Sequence, residues 1–439
     1  MYNNCKMKLS DNTIIREVLG KTYINEVRKH SVLMMTIEAM PLLKYLMIDR
    51  SYQEIKDFIK LNYEVEEGID EYCTNFLDNL IEFGFLEVLS KKIQRPYYEE
   101  NYQKTYDYDN KVSLEEEALE KQQLLSVTIE LTYACNLKCK HCFVGEIKEK
   151  RLDKHFYFQL LDALYEMGTL NIVFTGGEVF ARDDSFDIIE YAVRRNFVVD
   201  IFTNGTLIDN ILMKKLCSLN IHSIQSSIYS VNEITHDDFV GQEGAFRKTV
   251  DNLIEFSKNG IMTAVKTCIF DFNCIEFEAL KQFASSINAT FQYTMTLLPR
   301  KDGKTTPMSY SVSPDKLSKF IRNVEDSYYY EKEDDQLICS AGQTSLSITP
   351  EGKVYMCNAF DLVIGDLEKE SINQIWKNSK GLNEWRKATM VMKIECHGCE
   401  YANYCDFCPG SAYKLTGSPY LKYEAACNQA KSICEILDN

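Results

Sequence analysis

Long apolar runs are missing from this 439-residue sequence. None approaches the roughly eighteen apolar residues that a membrane-spanning helix needs, so no membrane partner is expected. A secretory signal is missing too. Met1 to Asn12 is polar and has no apolar core, which makes the cytoplasm the expected location. Positive charge is in deficit: 49 Lys and Arg stand against 65 Asp and Glu, a net charge of −16. A nucleic-acid surface needs clustered cations, so no nucleic acid is expected as a partner. Cysteine, by contrast, is plentiful, with 16 residues. Without a secretory signal, that number points to metal binding in a reducing compartment and not to a disulfide framework. The length suggests roughly two to four domains.

Residues 1–90 begin with three short alternating runs, Ile14–Val18, Thr22–Val27 and Val32–Met35, which read as strands. A helical pattern follows at Ile37, Met40, Leu43, Leu46 and Met47. Ser51-Tyr52-Gln53-Glu54 is a capping-box signature opening a second helix to about Leu61. A third helix is expected over Glu66–Phe83, with Ile69, Tyr72, Cys73, Phe76, Leu80 and Phe83 on its buried side, and Phe85–Leu89 closes as a strand. This is a winged helix-turn-helix pattern, and its usual ligand is DNA. The segment's own net charge of −5 opposes that. The order of elements resembles the RiPP recognition element, a PqqD-like domain. The resemblance implies that the leader of a ribosomally made precursor peptide pairs beside Ser31–Met35 and lies on the Ile69–Phe83 helix. Residues 91–123, with Tyr97, Tyr98, Tyr102, Tyr106 and Tyr108 among acidic residues, read as a linker holding one short helix.

The stretch Cys135-Asn136-Leu137-Lys138-Cys139-Lys140-His141-Cys142 follows an alternating strand, Leu125–Leu131. Three thiolates on one loop can hold three irons of a four-iron cluster and leave the fourth open. Zinc or three unrelated thiols is the plainer alternative. The spacing resembles the signature of the radical S-adenosylmethionine (SAM) enzymes. The resemblance implies that SAM chelates the open iron and is split reductively, and that the resulting 5′-deoxyadenosyl radical takes a hydrogen from the substrate. An electron donor such as flavodoxin or ferredoxin is then required, and oxygen sensitivity points to a low-oxygen host.

Across residues 124–300 strand and helix signals alternate six times. The expected strands are Leu125–Leu131, Leu170–Phe174, Val198–Phe202, Ser223–Tyr229, Met262–Phe270 and Thr290–Leu297. The expected fold is therefore α/β, a partial (β/α)6 TIM-like barrel with its chemistry at the strands' C-terminal ends. Gly176-Gly177-Glu178 follows the second strand and resembles the family's GGE motif. That implies a bond from the SAM ammonium to Glu178, with the glycines permitting close approach. By the same resemblance Thr203 and Asn204 after the third strand, Ser227 in the fourth and Phe143 after the cysteine loop are SAM contacts. Tyr229 stands where many relatives carry an acid.

Residues 301–336 form a bridging region, and a second cysteine system fills 337–439. Cys339, Gly352 and Cys357 precede Cys396-x2-Cys399-x5-Cys405-x2-Cys408, and Cys427 comes last. This resembles the SPASM domain and implies two auxiliary clusters. Cys396, Cys399, Cys405 and Cys427 would hold the outer cluster. Cys339, Cys357 and Cys408 would hold the inner one, which is a thiolate short unless a residue such as Cys434 completes it. With the SAM-binding cluster, the expected count is three [4Fe-4S] clusters. Cys5, Cys73, Cys217, Cys268, Cys274 and Cys434 read as small hydrophobes, and Trp376 and Trp385 as packing residues.

Together these resemblances point to a radical SAM/SPASM maturase of ribosomal peptides, with a sulfur-to-carbon thioether as the first expected product. Alternatives are a carbon–carbon or other side-chain cross-link, protein modification of the sulfatase-maturating kind, and an iron–sulfur redox-sensing DNA-binding regulator. The precursor's sequence, the bonded residues and the catalytic base are not readable from the chain.

Overall fold

The computed structural model describes residues 2, 5–65, 68–89, 114–145, 150–323 and 335–437. The tyrosine-rich part of the expected linker lies outside them. Fifteen strands are described, numbered in chain order. The N-terminal unit holds β1 (Lys6–Leu9), β2 (Thr13–Val18), β3 (Lys21–Glu26), β4 (Ser31–Thr36), β5 (Arg50–Ser51) and β6 (Leu86–Val88). β2, β3 and β4 form an antiparallel sheet, and β5, β1 and β6 form a second. Helices cover Ala39–Tyr45, Tyr52–Asn62 and Ile69–Glu82. The predicted capping box closes as expected: Ser51 N–H donates to Glu54 Oε2 (2.8 Å) and Glu54 N–H to Ser51 Oγ (3.3 Å).

Two expectations change here. The second sheet makes the unit richer in strands than a winged helix-turn-helix of three strands, three helices and a closing strand. The buried side of the third helix is also rotated. Cys73, Leu77 and Leu80 are buried, whereas Tyr72 and Phe83 are 45% and 39% exposed. Leu77 sits one turn from both Cys73 and Leu80, and that stripe meets Met7, Leu43, Ile55 and Phe85.

The barrel strands are β7 (Ser126–Thr132), β8 (Asn171–Gly176), β9 (Val198–Phe202), β10 (Ser223–Ser227), β11 (Met262–Cys268) and β12 (Thr290–Thr294). They lie parallel and in sequence order. Helices such as Lys154–Glu166 and Ser185–Arg194 cover one face. There Ile129, Phe174, Ile201 and Ile224 pack on Leu160, Leu161, Ile188 and Ile189. Each such burial contributes about 1.5–3 kcal/mol. The alternate positions point to the other, inner face.

The sheet does not end at β7. β13 (Ser345–Ile348) pairs with it in parallel, and β14 (Lys353–Cys357) and β15 (Phe360–Asp366) continue antiparallel. The C-terminal cysteine region is thus joined to the barrel by one nine-stranded sheet. Trp376 and Trp385 are buried as expected, donating to Gln122 O (2.9 Å) and Ala341 O (2.6 Å).

The N-terminal unit docks on the starts of the barrel strands. Ile14, Val18, Tyr23 and Met34 pack with Leu125, Leu170 and Val198, which open β7, β8 and β9. Arg16 reaches across, donating to Tyr165 O (3.1 Å) with its guanidinium 3.8 Å from that ring's centre. Among the described residues no helix is long and apolar enough to cross a membrane.

Candidate functional site

The cysteine loop leaves β7 at its C-terminal end and is pinned by its neighbours. Lys138 N–H donates to Val240 O and Lys140 N–H to Phe239 O, both at 3.0 Å. Asn136 Nδ2 donates to Thr206 Oγ1 (2.8 Å). Asn204 Nδ2 reaches Asn136 Oδ1 (3.0 Å) and points at Cys135 Sγ (3.8 Å). Leu137 N–H is a second donor to that sulfur, at 3.4 Å. Cys135, Cys139 and Cys142 are electrostatic neighbours. Burial, then the other two thiols, pushes the Cys139 thiol up to about 12. A metal must displace that proton, so its binding is coupled to pH.

The diglycine turn after β8 serves this loop directly. A Cβ on Gly176 would lie 2.2 Å from Thr132 O, and one on Gly177 would lie 2.5 Å from the carbonyls of Tyr133 and Ala134. Gly177 N–H donates to Thr132 O (2.7 Å) and Glu178 N–H to Ala134 O (2.9 Å). Close approach is therefore to the backbone entering the cysteine loop. Gly176 also has a φ of +144°, which side chains avoid.

Glu178 is 1% exposed. Its carboxylate accepts from Thr203 Oγ1 (2.6 Å), Asn204 N–H (2.7 Å) and Phe180 N–H (3.1 Å). Burial raises its pKa, and these bonds oppose the rise. Three of about four lone-pair sites are thus used within the protein, leaving at most one for an incoming ammonium. The Thr203 hydroxyl is spent likewise, giving to Glu178 and receiving from Gly205 N–H (3.0 Å). Gly176, Gly177, Glu178, Thr203 and Asn204 therefore converge with Cys135 and tie three strand ends together. Ser227 closes β10, and its hydroxyl lies beside the Tyr229 phenol. The Phe143 ring centre lies 6.0 Å from both Lys301 Nζ and Lys414 Nζ.

Two pairs near the loop escaped the sequence reading. His141 Nε2 and Tyr229 OH are 3.1 Å apart, and the imidazole stacks on Phe239 with ring centres 5.2 Å apart. Burial lowers the His141 pKa to about 4, so this ring is neutral. Lys301 Nζ bonds Glu130 Oε2 at 2.6 Å, with side chains 7% and 2% exposed. Lys301 N–H also donates to Phe143 O (2.7 Å), so the pair braces the chain just past Cys142. A charged residue inside the apolar β7 run was the one available signal.

In the C-terminal region Cys339, Cys357 and Cys408 are mutual neighbours. Burial, foremost, pushes Cys357 up to about 12. Cys408 caps the helix Pro409–Thr416, its sulfur accepting from Ser411 N–H (3.5 Å). Cys427 neighbours Cys396 and Cys399. Cys405 lies by Tyr423, and Cys434 lies by Tyr401. All sixteen cysteines are free; Cys73 and Cys274 are buried, while Cys5, Cys217, Cys268 and Cys434 are only partly so. Among the described residues no three Cys, His, Asp or Glu groups converge on one ion. A zinc ribbon would bring its thiolates within about 2.3 Å of a single ion, whereas cluster thiolates each take a separate iron and stand farther apart. Grouped thiols with N–H donors aimed at sulfur are a donor set that could hold such a cluster.

Comparison with known proteins agrees with this geometry. Residues 129–284 match the profile of the Radical SAM superfamily, and residues 339–400 match that of the SPASM iron-sulfur cluster-binding domain. The first domain implies SAM with a 4Fe-4S cluster, and the second implies auxiliary clusters. The chain is 26% identical over 336 residues to the AdoMet-dependent heme synthase of Methanosarcina barkeri, covering 68% of this chain and 94% of that protein. It is 26% identical over 301 residues to the antilisterial bacteriocin subtilosin biosynthesis protein AlbA of Bacillus subtilis, covering 65% and 67%. Among solved structures, Streptococcus suis SuiB bound to its precursor peptide SuiA superposes with a TM-score of 0.59 at 14% identity, over 96% of this chain and 99% of that one.

Proposed function

We propose that the radical SAM and SPASM domains of this chain form a maturase that cross-links a ribosomally made precursor peptide, an oxidoreductase reaction removing two hydrogens per link. Cys135, Cys139 and Cys142 would hold the SAM-binding cluster, which when bound supplies a radical able to take hydrogen from carbon. Gly176, Gly177, Glu178, Thr203 and Asn204 keep that loop's shape and present the cofactor, with Ser227 and Phe143 at its borders. The observation that carries the reading is the convergence of three thiols and the ends of β7, β8 and β9 in one bonded network.

The N-terminal unit is read as the leader-binding element, with β4 offering its outer edge. AlbA, named for bacteriocin biosynthesis, and SuiB, with its precursor peptide, support a peptide substrate. Because the unit docks at the opposite end of β7, the spacer between leader and modified residue must cross that strand's length. Seven residues at about 3.3 Å each give roughly 23 Å. A thioether is the first product proposed: with Cys339, Cys357 and Cys408 as its only thiols, the inner cluster would keep an iron open for a substrate thiolate. A carbon–carbon cross-link is the product if that cluster is fully ligated. A second reading, chemistry on a tetrapyrrole, follows from the Methanosarcina relative. It has no use for a leader-binding N-terminal unit.

The test is anoxic reconstitution with iron and sulfide, then incubation with SAM, a reductant and the peptide encoded nearest the gene. Loss of two hydrogens per link, with substrate label moving into 5′-deoxyadenosine, is expected. An unchanged peptide and a modified porphyrin would select the second reading.

A further inference from the structure

The inner faces of β9, β10 and β11 meet in a polar chamber that the cysteine loop does not account for. Paired positions on parallel strands point the same way. Ser227 pairs with Lys266, and Lys266 with Gln292, so the three share one level near the strands' C-terminal ends. Thr290, Gln292 and Thr294 on β12 are exposed, which opens that side to solvent.

In this chamber Lys266 Nζ lies 3.7 Å from the centre of the Phe202 ring. Among the described residues it has no hydrogen bond and no carboxylate within ion-pair distance. Asp200 is near, but its Oδ1 is engaged by His222 Nδ1 (2.8 Å) and by the Ser223 hydroxyl. Gln225 adds a second unmet group. Its amide nitrogen donates to Ser223 Oγ (2.9 Å), while its Oε1 is buried without a donor. Other withdrawn lysines are ion-paired, Lys301 with Glu130, Lys414 with Asp361 and Lys353 with Asp366, apart from Lys393, whose Nζ lies 3.9 Å from the Phe407 ring centre in the C-terminal cysteine region. Burial also lowers the Lys266 pKa. A cation partly withdrawn from water, facing an aromatic ring and balanced only at longer range by Asp200, recovers more of its desolvation cost when an anion arrives.

We propose that Lys266 anchors a carboxylate of the substrate in this chamber, with Gln225 Oε1 accepting an N–H from the same molecule. The proposal rests on the peptide reading, because a peptide supplies both groups: backbone N–H, and an acid at a side chain or at its C-terminus.

Four small probes separate the two sources of acid. N-acetyl-glutamate α-amide and N-acetyl-glutamine α-amide differ only in the side-chain acid. N-acetyl-alanine and N-acetyl-alaninamide differ only at the C-terminus. Each is titrated calorimetrically into the full chain, with and without saturating SAM, for the wild type, Lys266→Met and Lys266→Arg. In the wild type one acid is expected to bind about tenfold or more tightly than its amide. The preference should vanish in Lys266→Met and partly return in Lys266→Arg. No preference in the wild type overturns the proposal, and that arm needs no variant to fold. A preference that survives Lys266→Met overturns it too. A preference that saturating SAM abolishes also overturns it, by assigning the lysine to the cofactor's own carboxylate. No turnover is involved, so failure to modify a precursor would count against the maturase reading while an acid preference still located an anion site at Lys266.

Discussion

The two cysteine systems are built in opposite ways. Cys135, Cys139 and Cys142 share one loop, whose shape is set by backbone bonds from the loop and the chain entering it to Val240, Phe239, Gly177 and Glu178. Cys339, Cys357 and Cys408 come from three separate elements: a loop, the end of β14 and the cap of the helix Pro409–Thr416. A loop closed locally keeps its geometry without metal. A dispersed trio is assembled only when the whole region packs, so metal binding there is folding free energy.

That contrast gives the largest expected effect. Replacing Cys339, Cys357 and Cys408 together by alanine should lower the melting temperature of the iron-loaded protein strongly and open residues 337–437 to protease. The same replacement of Cys135, Cys139 and Cys142 should barely move it. Equal shifts would break the comparison. Next is the brace beside the first system. Lys301→Met strands a buried Glu130 and should cost about 3–5 kcal/mol in chemical denaturation, because an unpaired buried charge is left behind. Gly177→Ala pushes a methyl into two carbonyls and should cost at least about 1–3 kcal/mol, with iron lost from the first site only. Thr203→Val removes one bond to buried Glu178 and should cost about 1–3 kcal/mol.

The smallest effect lies at the interface with the N-terminal unit. His30 packs edge-on to His222, and burial first, then His222 and Arg28, lowers its pKa to about 4. The unfolded chain takes up the proton near 6.5, so stability is complete above that pH and is lost as pH falls toward 4. His30 has a φ of +53°, which asparagine tolerates. His30→Asn should flatten the pH slope of the urea midpoint. Part of the slope should remain, since His236 is lowered in the same way.

Periodicity found the barrel because each of its strands is local. β9 runs Val198–Phe202 as expected, and the other five differ only at their ends. The Ser51 cap was legible because its partner is three residues away. Long-range pairing was not legible. β13 meets β7 across the whole barrel, and Lys301 meets Glu130 from a distant loop; neither contact leaves a local trace. The bonds Glu178 accepts from Thr203 and Asn204 were not legible, because a Gly-Gly-Glu turn carries no local trace of donors on the next strand's end. On the third N-terminal helix, apolar residues lie on more than one side, so period alone did not choose Leu77 over Tyr72.

The central claim is that the loop from Cys135 to Cys142 holds a cluster with one iron open to SAM. Its most direct test is release of 5′-deoxyadenosine from SAM by the anoxically reconstituted, reduced protein, with the Cys135, Cys139 and Cys142 triple-alanine variant alongside. The account predicts release by the wild type and none by the variant. Release by the variant at the wild-type rate would contradict it.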